Sequence, residues 1–447
     1  MSRLAAPHNR IIGPVGAIRF EVMRHCAVYF LFALVLSGQT RTLTLKQAVD
    51  LALEQNPDLM LARLDQQKAQ LGVAAVAEPL LPRVYAGSGM AYTYGFPVSL
   101  DGSAPSIVQA RAERTLYSAP SRLIAAQAKE QARGAGLGWA TAREEAALRT
   151  AVLFLDLEKA VRGREFAARR IESLARVEAA VRLRIAEGRE LVIEGKRASV
   201  NVARARQKLG VLDGAVANCS GALAQVLGLG SQQQINPALE ARVEMALPAS
   251  EAEMVEQAVR ESGELRKLES DLQVQTLAAK ASRARRLPSV NLVAQYSLLG
   301  KFNNYEDFFR KFQRHNGQIG ASIMVPLFAN PQDEAVASQA DLEARRIRIQ
   351  ASVLRSKIES GSRQAWRRVG EAESYREVAK LDLDVAREQV GIVLAQSEEG
   401  RAGLKQLEEA RSAEQERWAA FHEARYELER AKIEALRQTN QLAAALR

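Results

Sequence analysis

The sequence predicts a mixed α and β fold with an internal duplication, in which four strands per chain continue into long helical hairpins. Three observations support this prediction. Two stretches of about 116 residues contain no proline, one between Pro120 and Pro237 and the other from Pro331 to the end. Four runs alternate apolar and polar residues, as strands do. The motif Leu-Pro-x-Val occurs twice, beginning at Leu81 and at Leu287.

Residues 1–40 predict a secretory signal peptide. Arg24 precedes an apolar run from Ala27 to Leu36, and small residues follow it. This order of basic, apolar and small residues is typical of a leader, and the run is shorter than the ~20 residues a spanning helix needs. Met23 is an alternative start. No later stretch contains 18 or more apolar residues. A mature chain that enters a membrane must therefore do so as a closed β-barrel.

The remaining chain divides into two predicted structural repeats, residues 41–245 and residues 246–447. The motif at Leu81 recurs at Leu287, an offset of 206 residues. At the same offset several helical residues are identical: Ala52 and Ala258, Leu59 and Leu265, Asp65 and Asp271, Gln67 and Gln273, Leu71 and Leu277. A fixed offset with a shared order of elements indicates an internal repeat. Each repeat reads as a helix, two strands and a long helical hairpin.

The proline-free stretches predict the hairpins. Proline inside a helix costs about 3 kcal/mol, so its absence permits very long helices. Each stretch has one central interruption, at Gly188 in the first and at Gly400 and Gly403 in the second, and glycine suits a helix end and a reversal. The predicted arms are residues 121–186 and 192–228, then 332–398 and 404–445. The arm over residues 121–186 would span about 100 Å.

The four predicted strands have one apolar and one polar face. They comprise residues 83–95, 106–118, 289–299 and 317–328. The second strand groups Ala112 and Leu116 on its apolar face, where Arg114 is an exception. Strands of about 10 residues with this alternation are typical of an outer-membrane barrel wall. Four strands cannot close around a lumen, so the chain must oligomerise, and three copies would supply twelve strands.

Composition excludes several other classes of protein. Aromatic residues make up only 5% of the chain, which suits long helices with narrow apolar seams. The formal net charge of +10 is interspersed with acidic residues, unlike a nucleic-acid footprint. After leader removal Cys219 is alone, so no internal disulfide forms. The sequence has no metal-ligand spacing, cofactor-binding motif or nucleophile motif, and it predicts no metal, no cofactor, no catalytic residue and no enzyme.

At this point the residues resemble the TolC family of outer-membrane efflux proteins over residues 41–445. The most specific segment is Gly320–Phe328, a strand ending in Pro-Leu-Phe before the second long helix. The repeated Leu-Pro-x-Val motif also matches. So does the spacing of ten residues from each turn glycine to an alanine, Gly188 to Ala198 and Gly400 to Ala410. The first repeat departs from the family pattern, with Thr115–Pro120 where Pro-Leu-Phe or Pro-Leu-Tyr is expected.

The resemblance implies a homotrimer with a twelve-stranded barrel in the outer membrane and a twelve-helix barrel across the periplasm. Its tip would meet a periplasmic adaptor protein and, through it, an inner-membrane pump. Such a duct serves a tripartite efflux or type I secretion system. Family members carry gate carboxylates near the hairpin turns, and Glu194, Gln406 and Glu409 occupy those positions here. A ring of acids would select cations. Gln406 replaces an expected acid, so the ring would be weaker. In the alternative interpretation, Glu194 and Glu409 are ordinary solvated helix residues.

A second class of protein also fits part of the sequence. A periplasmic adaptor-like protein or a structural coiled coil can carry a signal peptide and helical seams. Neither needs two hairpins at one repeat period, nor four amphipathic strands joined in pairs. The duct is therefore the favoured interpretation.

Overall fold

The structure of this chain is a computed structural model. It describes residues 41–77, 81–89, 106–230, 233–238, 245–299, 313, 315–328 and 330–446. The predicted signal peptide and the predicted strand residues 90–95 lie outside the described residues. The described chain forms two compact units. The first comprises residues 41–48 and 153–238, and the second comprises residues 49–152 and 245–446.

Fifteen elements are found in the described residues. They are β1 (Arg41–Leu43), α1 (Leu45–Gln55), α2 (Pro57–Ala77), β2 (Arg83–Gly89), β3 (Ser106–Ser118), α3 (Ala119–Ala186), α4 (Val192–Val226), β4 (Ile235–Pro237), α5 (Glu251–Glu261), α6 (Gly263–Ala284), β5 (Ser289–Leu299), β6 (His315–Met324), α7 (Pro331–Glu398), α8 (Leu404–Gln438) and α9 (Leu442–Ala445). The predicted mixed fold, with long helices and a four-stranded sheet, is confirmed. The structure adds a short parallel pair of strands, β1 and β4, which the sequence did not predict.

The same order of elements occurs twice. Helices α1 and α5 each have 11 residues, α3 and α7 each have 68, and α4 and α8 each have 35. From α1 to the end of the strands the offset is 206 residues, and in the long helices it is 212. The six extra residues, 325–330, separate β6 from α7, whereas β3 continues directly into α3.

The predicted returning arm over residues 404–445 is wrong at its end, because α8 stops at Gln438. Asn440 has a φ of 58°, a left-handed conformation that asparagine tolerates better than most residues. The Asn440 N–H donates to the Arg437 carbonyl at 3.1 Å, and the Gln441 N–H donates to the Leu436 carbonyl at 3.3 Å. These two bonds close the helix, and the short helix α9 follows. The first returning arm likewise ends two residues early, at Val226.

Four strands form one antiparallel sheet in the order β2-β3-β5-β6. Its register places Val84, Ala112, Ala294 and Ile319 in one row across the sheet. The alternation of side chains then assigns one apolar and one polar face to all four strands. Strand β6 begins two residues before the predicted strand and ends at Met324 rather than at residue 328.

A β-bulge in β3 corrects one predicted position. The register shifts between Thr115 and Tyr117, so Tyr117 lies opposite Val290. The bulge inserts Leu116 as an extra residue, and this changes which residues face the same side beyond it. Tyr117 therefore continues the apolar row where the sequence alternation predicted Leu116.

The helices of the second unit share a buried apolar cluster. In the second unit Met254 and Val369 pack with Leu428, Ala431 and Ala435 as one buried cluster. In the described residues no helix has an apolar stretch long enough to cross a membrane.

Candidate functional site at the hairpin ends and the sheet

The first long hairpin reverses at Gly188. Its φ of 70° lies in the left-handed region, where glycine has no steric penalty. The Gly188 N–H donates to the Ile185 carbonyl at 3.0 Å, and the Arg189 N–H donates to the Arg184 carbonyl at 2.8 Å. This pair of bonds is the Schellman arrangement that ends many helices. It satisfies the last carbonyls of α3 before α4 begins.

The second long hairpin reverses in the same way at Gly400, which has a φ of 74°. The Gly400 N–H donates to the Ser397 carbonyl at 3.1 Å, and the Arg401 N–H donates to the Gln396 carbonyl at 2.8 Å. Glycine meets the same backbone requirement at both turns. Gly403 has a different position, since it is the residue that caps the start of α8, with a φ of −84°.

The Gln406 side chain forms a hydrogen bond at the start of α8. Its side-chain Oε1 accepts a hydrogen bond from the Gly403 N–H at 3.1 Å. This is one half of a capping box, and glycine has no side chain with which to make the other half. The structure therefore gives Gln406 a local role at the helix end, and its membership of a gate stays a prediction.

Glu194 forms an ion pair inside its own hairpin. The Arg197 Nη1 lies 2.6 Å from the Glu194 Oε1, one turn further along α4. The Glu194 side chain is 25% exposed and that of Arg197 is 69% exposed. Glu194 also lies in the first turn of α4, where the helix dipole favours a negative charge. Its carboxylate is thus compensated twice.

The second hairpin differs at the matching positions. An offset of 212 residues relates Glu194 to Gln406 and Arg197 to Glu409. Glu409 is exposed. Glu194 belongs to the first compact unit, while Gln406 and Glu409 belong to the second. A gate composed of all three residues remains a proposal.

Close contacts join the two arms next to the first turn. A Cβ added to Gly195 would lie 2.8 Å from the Ile185 Cδ1, so the arms approach closely there. The Ser199 Oγ donates to the Glu178 Oε1 at 2.6 Å, and Arg182 also pairs with Glu178. The position of Gly195 was not predicted, although a glycine inside a helix is unfavourable and is therefore a signal of close packing.

The polar face of the sheet carries charges near its junction with the helices. Arg83 lies opposite Glu113 in the register, and Arg111 forms an ion pair with Glu113 along the same strand. Arg111 lies opposite Gln295, whose Oε1 accepts a hydrogen bond from the Gln318 Nε2 at 3.3 Å. The sequence indicated the polar face, but only the register places Arg83 opposite Glu113.

The apolar face of the sheet is uncovered. Ile319 is 78% exposed, and other large residues on this face are also exposed: Val84, Val108, Leu292, Tyr296 and Ile323. Next to the bulge, the Arg122 guanidinium lies 5.1 Å above the ring of Tyr117. An aromatic residue paired with a cation at the edge of an apolar band is typical of a membrane–water interface.

The described residues include no group of three or more His, Cys, Asp or Glu side chains that could hold a metal ion. Cys219 lies in the first unit. Burial, together with the negative charge of Asp156, raises the pKa of its thiol. Its reactivity at neutral pH is thereby lowered.

Solved structures with the same architecture identify the fold. The channel protein CusC aligns with a TM-score of 0.72 at 14% identity, over 89% of this chain and 92% of its own. The CmeC outer membrane channel of Campylobacter jejuni has a TM-score of 0.72 at 16% identity, over 89% of this chain and 86% of its own. This chain has the fold of the TolC-family outer-membrane channels. The recognised fold is therefore confirmed.

A third channel supports the same fold. The open state of the MtrE outer membrane channel of Neisseria gonorrhoeae aligns with a TM-score of 0.66 at 18% identity, over 90% of this chain and 88% of its own. No protein-family model and no curated protein matches the sequence. The TolC-type fold thus rests on architecture along most of the chain.

Proposed function

We propose that the chain forms a homotrimeric outer-membrane channel that extends into the periplasm. It passes substrates from an inner-membrane pump and a periplasmic adaptor to the cell exterior. The observation that carries this proposal is the open sheet whose strands β3 and β6 lead into the two long hairpins. Its apolar face is exposed, and its edge strands, β2 and β6, pair with no further strand in the described residues.

The sheet edges support a trimer. A membrane leaves no water to satisfy an open edge, so the sheet must close. Four strands are too few to surround a lumen, and three copies supply twelve. Beyond β6, Leu327 is 86% exposed and Phe328 is 89% exposed. Large apolar side chains at an open edge are typical of a surface that another copy or lipid covers.

The helices support the same assembly. Helix α7 buries Leu383 and Val393 on one side, yet it exposes a second apolar seam on another. This second seam has the seven-residue spacing of a coiled coil. Its members are Val378, Val385 and Ile392, with Leu381 between them. Packing against helices of other copies would bury the second seam, as expected for a helical barrel of three chains.

The first hairpin end supports an adaptor contact. Leu191, Val192 and Ile193 follow the turn and are all exposed. Contiguous exposed apolar side chains are typical of a surface that another protein covers. The adaptor is therefore the expected partner at this end of the hairpin.

The proposal is tested on protein expressed with its leader and extracted from the outer membrane in detergent. Light scattering should give the mass of three chains, and gel migration should change on heating. Planar bilayers should show discrete openings. A monomer recovered from the periplasm without detergent would contradict the proposal and favour the adaptor-like or coiled-coil alternative.

A further inference from the structure

We propose that the polar face of the sheet attracts anions, so that the barrel favours negatively charged cargo through Arg83 and Arg111. This inference rests on the proposed function, because only a closed barrel turns the polar face toward a lumen. The register assigns the two arginines and Glu113 to that face. The face thus carries two positive charges and one negative charge per chain within the described strands.

Glu113 cannot neutralise both arginines. It lies opposite Arg83 and is paired with Arg111, two residues away on the same strand. Arginine stays protonated at every accessible pH, so one positive charge remains. Strands β5 and β6 contribute no charged side chain to the polar face: their described residues there are Ser289, Asn291, Val293, Gln295, Ser297, Asn316, Gln318, Gly320, Ser322 and Met324.

In a symmetric trimer, the one excess positive charge per chain would form a ring of three. Three copies around one axis would repeat the uncompensated guanidinium three times. Rings of arginine or lysine in a pore favour anions, just as rings of acids favour cations. Screening reduces the effect beyond about 10 Å at 0.1 M salt, so the preference should be strongest in dilute buffer.

Arg114 provides a matched control on the same strand. It lies opposite Leu292, on the apolar face, three residues from Arg111. Replacing Arg114 removes the same charge from the chain without removing it from the polar face. If the measurement changes with Arg111→Gln but not with Arg114→Gln, the change is due to the charge on the polar face.

The experiment measures the local potential with charged thiol reagents. A cysteine replaces Gln295, which lies opposite Arg111, in a Cys219→Ser background. Purified trimers react with an anionic sulfonate reagent or with a cationic trimethylammonium methanethiosulfonate reagent. Each rate is normalised to that of a free thiol in solution. The readout does not require an open hairpin end.

The anionic reagent should have the higher normalised rate. Arg111→Gln and Arg83→Gln should each lower the ratio of anionic to cationic rates by about threefold in dilute buffer, while Arg114→Gln leaves it unchanged. A trimer whose ratio does not respond to Arg111→Gln would overturn this inference and leave the channel intact. If no trimers form, the proposed function is wrong, and this inference also fails because there is no lumen.

Discussion

The Arg197 guanidinium lies 2.6 Å from the Glu194 carboxylate at the start of α4, so a predicted gate residue has its own counter-ion. The second hairpin lacks this arrangement, since Glu409 takes the place of Arg197. The two hairpin ends therefore differ in charge, although their backbone turns are alike.

The pair predicts opposite effects for its two members on ion selectivity. Glu194→Gln leaves Arg197 uncompensated and should shift the open channel toward anions, whereas Arg197→Gln should shift it toward cations. The double variant should resemble the wild type. Reversal potentials across a salt gradient in planar bilayers measure all three. A double variant as far from the wild type as either single variant would contradict this cancellation.

Glu409→Gln should reduce the cation preference in the same measurement, because Glu409 is exposed. Arg401→Gln should shift the reversal potential in the opposite direction, because it leaves Glu399, which pairs with Arg401 at 3.2 Å, uncompensated. If Glu409→Gln has no effect on the reversal potential, Glu409 is an ordinary solvated helix residue.

A side chain at either turn glycine should destabilise the hairpin. Gly188→Ala and Gly400→Ala place alanine in a left-handed conformation, which costs about 1–2 kcal/mol. Gly210→Ala and Gly370→Ala are matched controls, because both glycines are exposed, lie inside helices and have open space around a new Cβ. These controls should stabilise by about 0.5–1 kcal/mol. Denaturant unfolding followed by circular dichroism compares the four. Equal losses at turns and controls would contradict the prediction.

The two faces of β6 should respond differently to charge. Ile319→Lys puts a charge on the apolar face and should cost about 2–4 kcal/mol at the centre of a bilayer. Gln318→Lys puts the same charge on the polar face one residue away and should cost little. The fraction of trimer recovered from outer membranes measures both. Equal recovery would show that the apolar face does not contact lipid.

Gly263 should permit the close approach of α6 to α3. A Cβ added there would lie 2.5 Å from the Thr141 Oγ1. Gly263→Ala should therefore destabilise by about 1–3 kcal/mol, as overpacking does. Adding Thr141→Ala removes the clashing atom and should restore most of the loss. A double variant with additive losses would indicate that the contact is not the cause.

Cys219 should react slowly with iodoacetamide at neutral pH. Burial and then the charge of Asp156 raise the pKa of its thiol, so the reactive thiolate forms only at higher pH than usual. Asp156→Asn should move the pH profile of alkylation to lower pH. A profile unchanged by this substitution would leave burial as the only cause.

The amino-acid sequence by itself determined the helical arms, the turns and the strands of this protein. Proline cannot lie inside a helix and glycine readily adopts a positive φ, so the two proline-free stretches and their central glycines fixed the arms and the turns. The predicted arm ends at residues 186 and 398 agree with α3 and α7. Alternation of apolar and polar residues identified the strands, because successive side chains of a strand lie on opposite faces of the sheet.

Only the tertiary structure decided which side chains meet. The bulge at Leu116, the position of Arg83 opposite Glu113 and the cap from Gln406 depend on strand register and local backbone geometry. The compensation of Glu194 depends on a rotamer of Arg197. Burial and backbone restrictions determine which residue types occur in a segment and at what spacing, so they can be read from the sequence. The choice of partner for a charged side chain depends on distances of a few ångströms, and neither composition nor periodicity contains those distances.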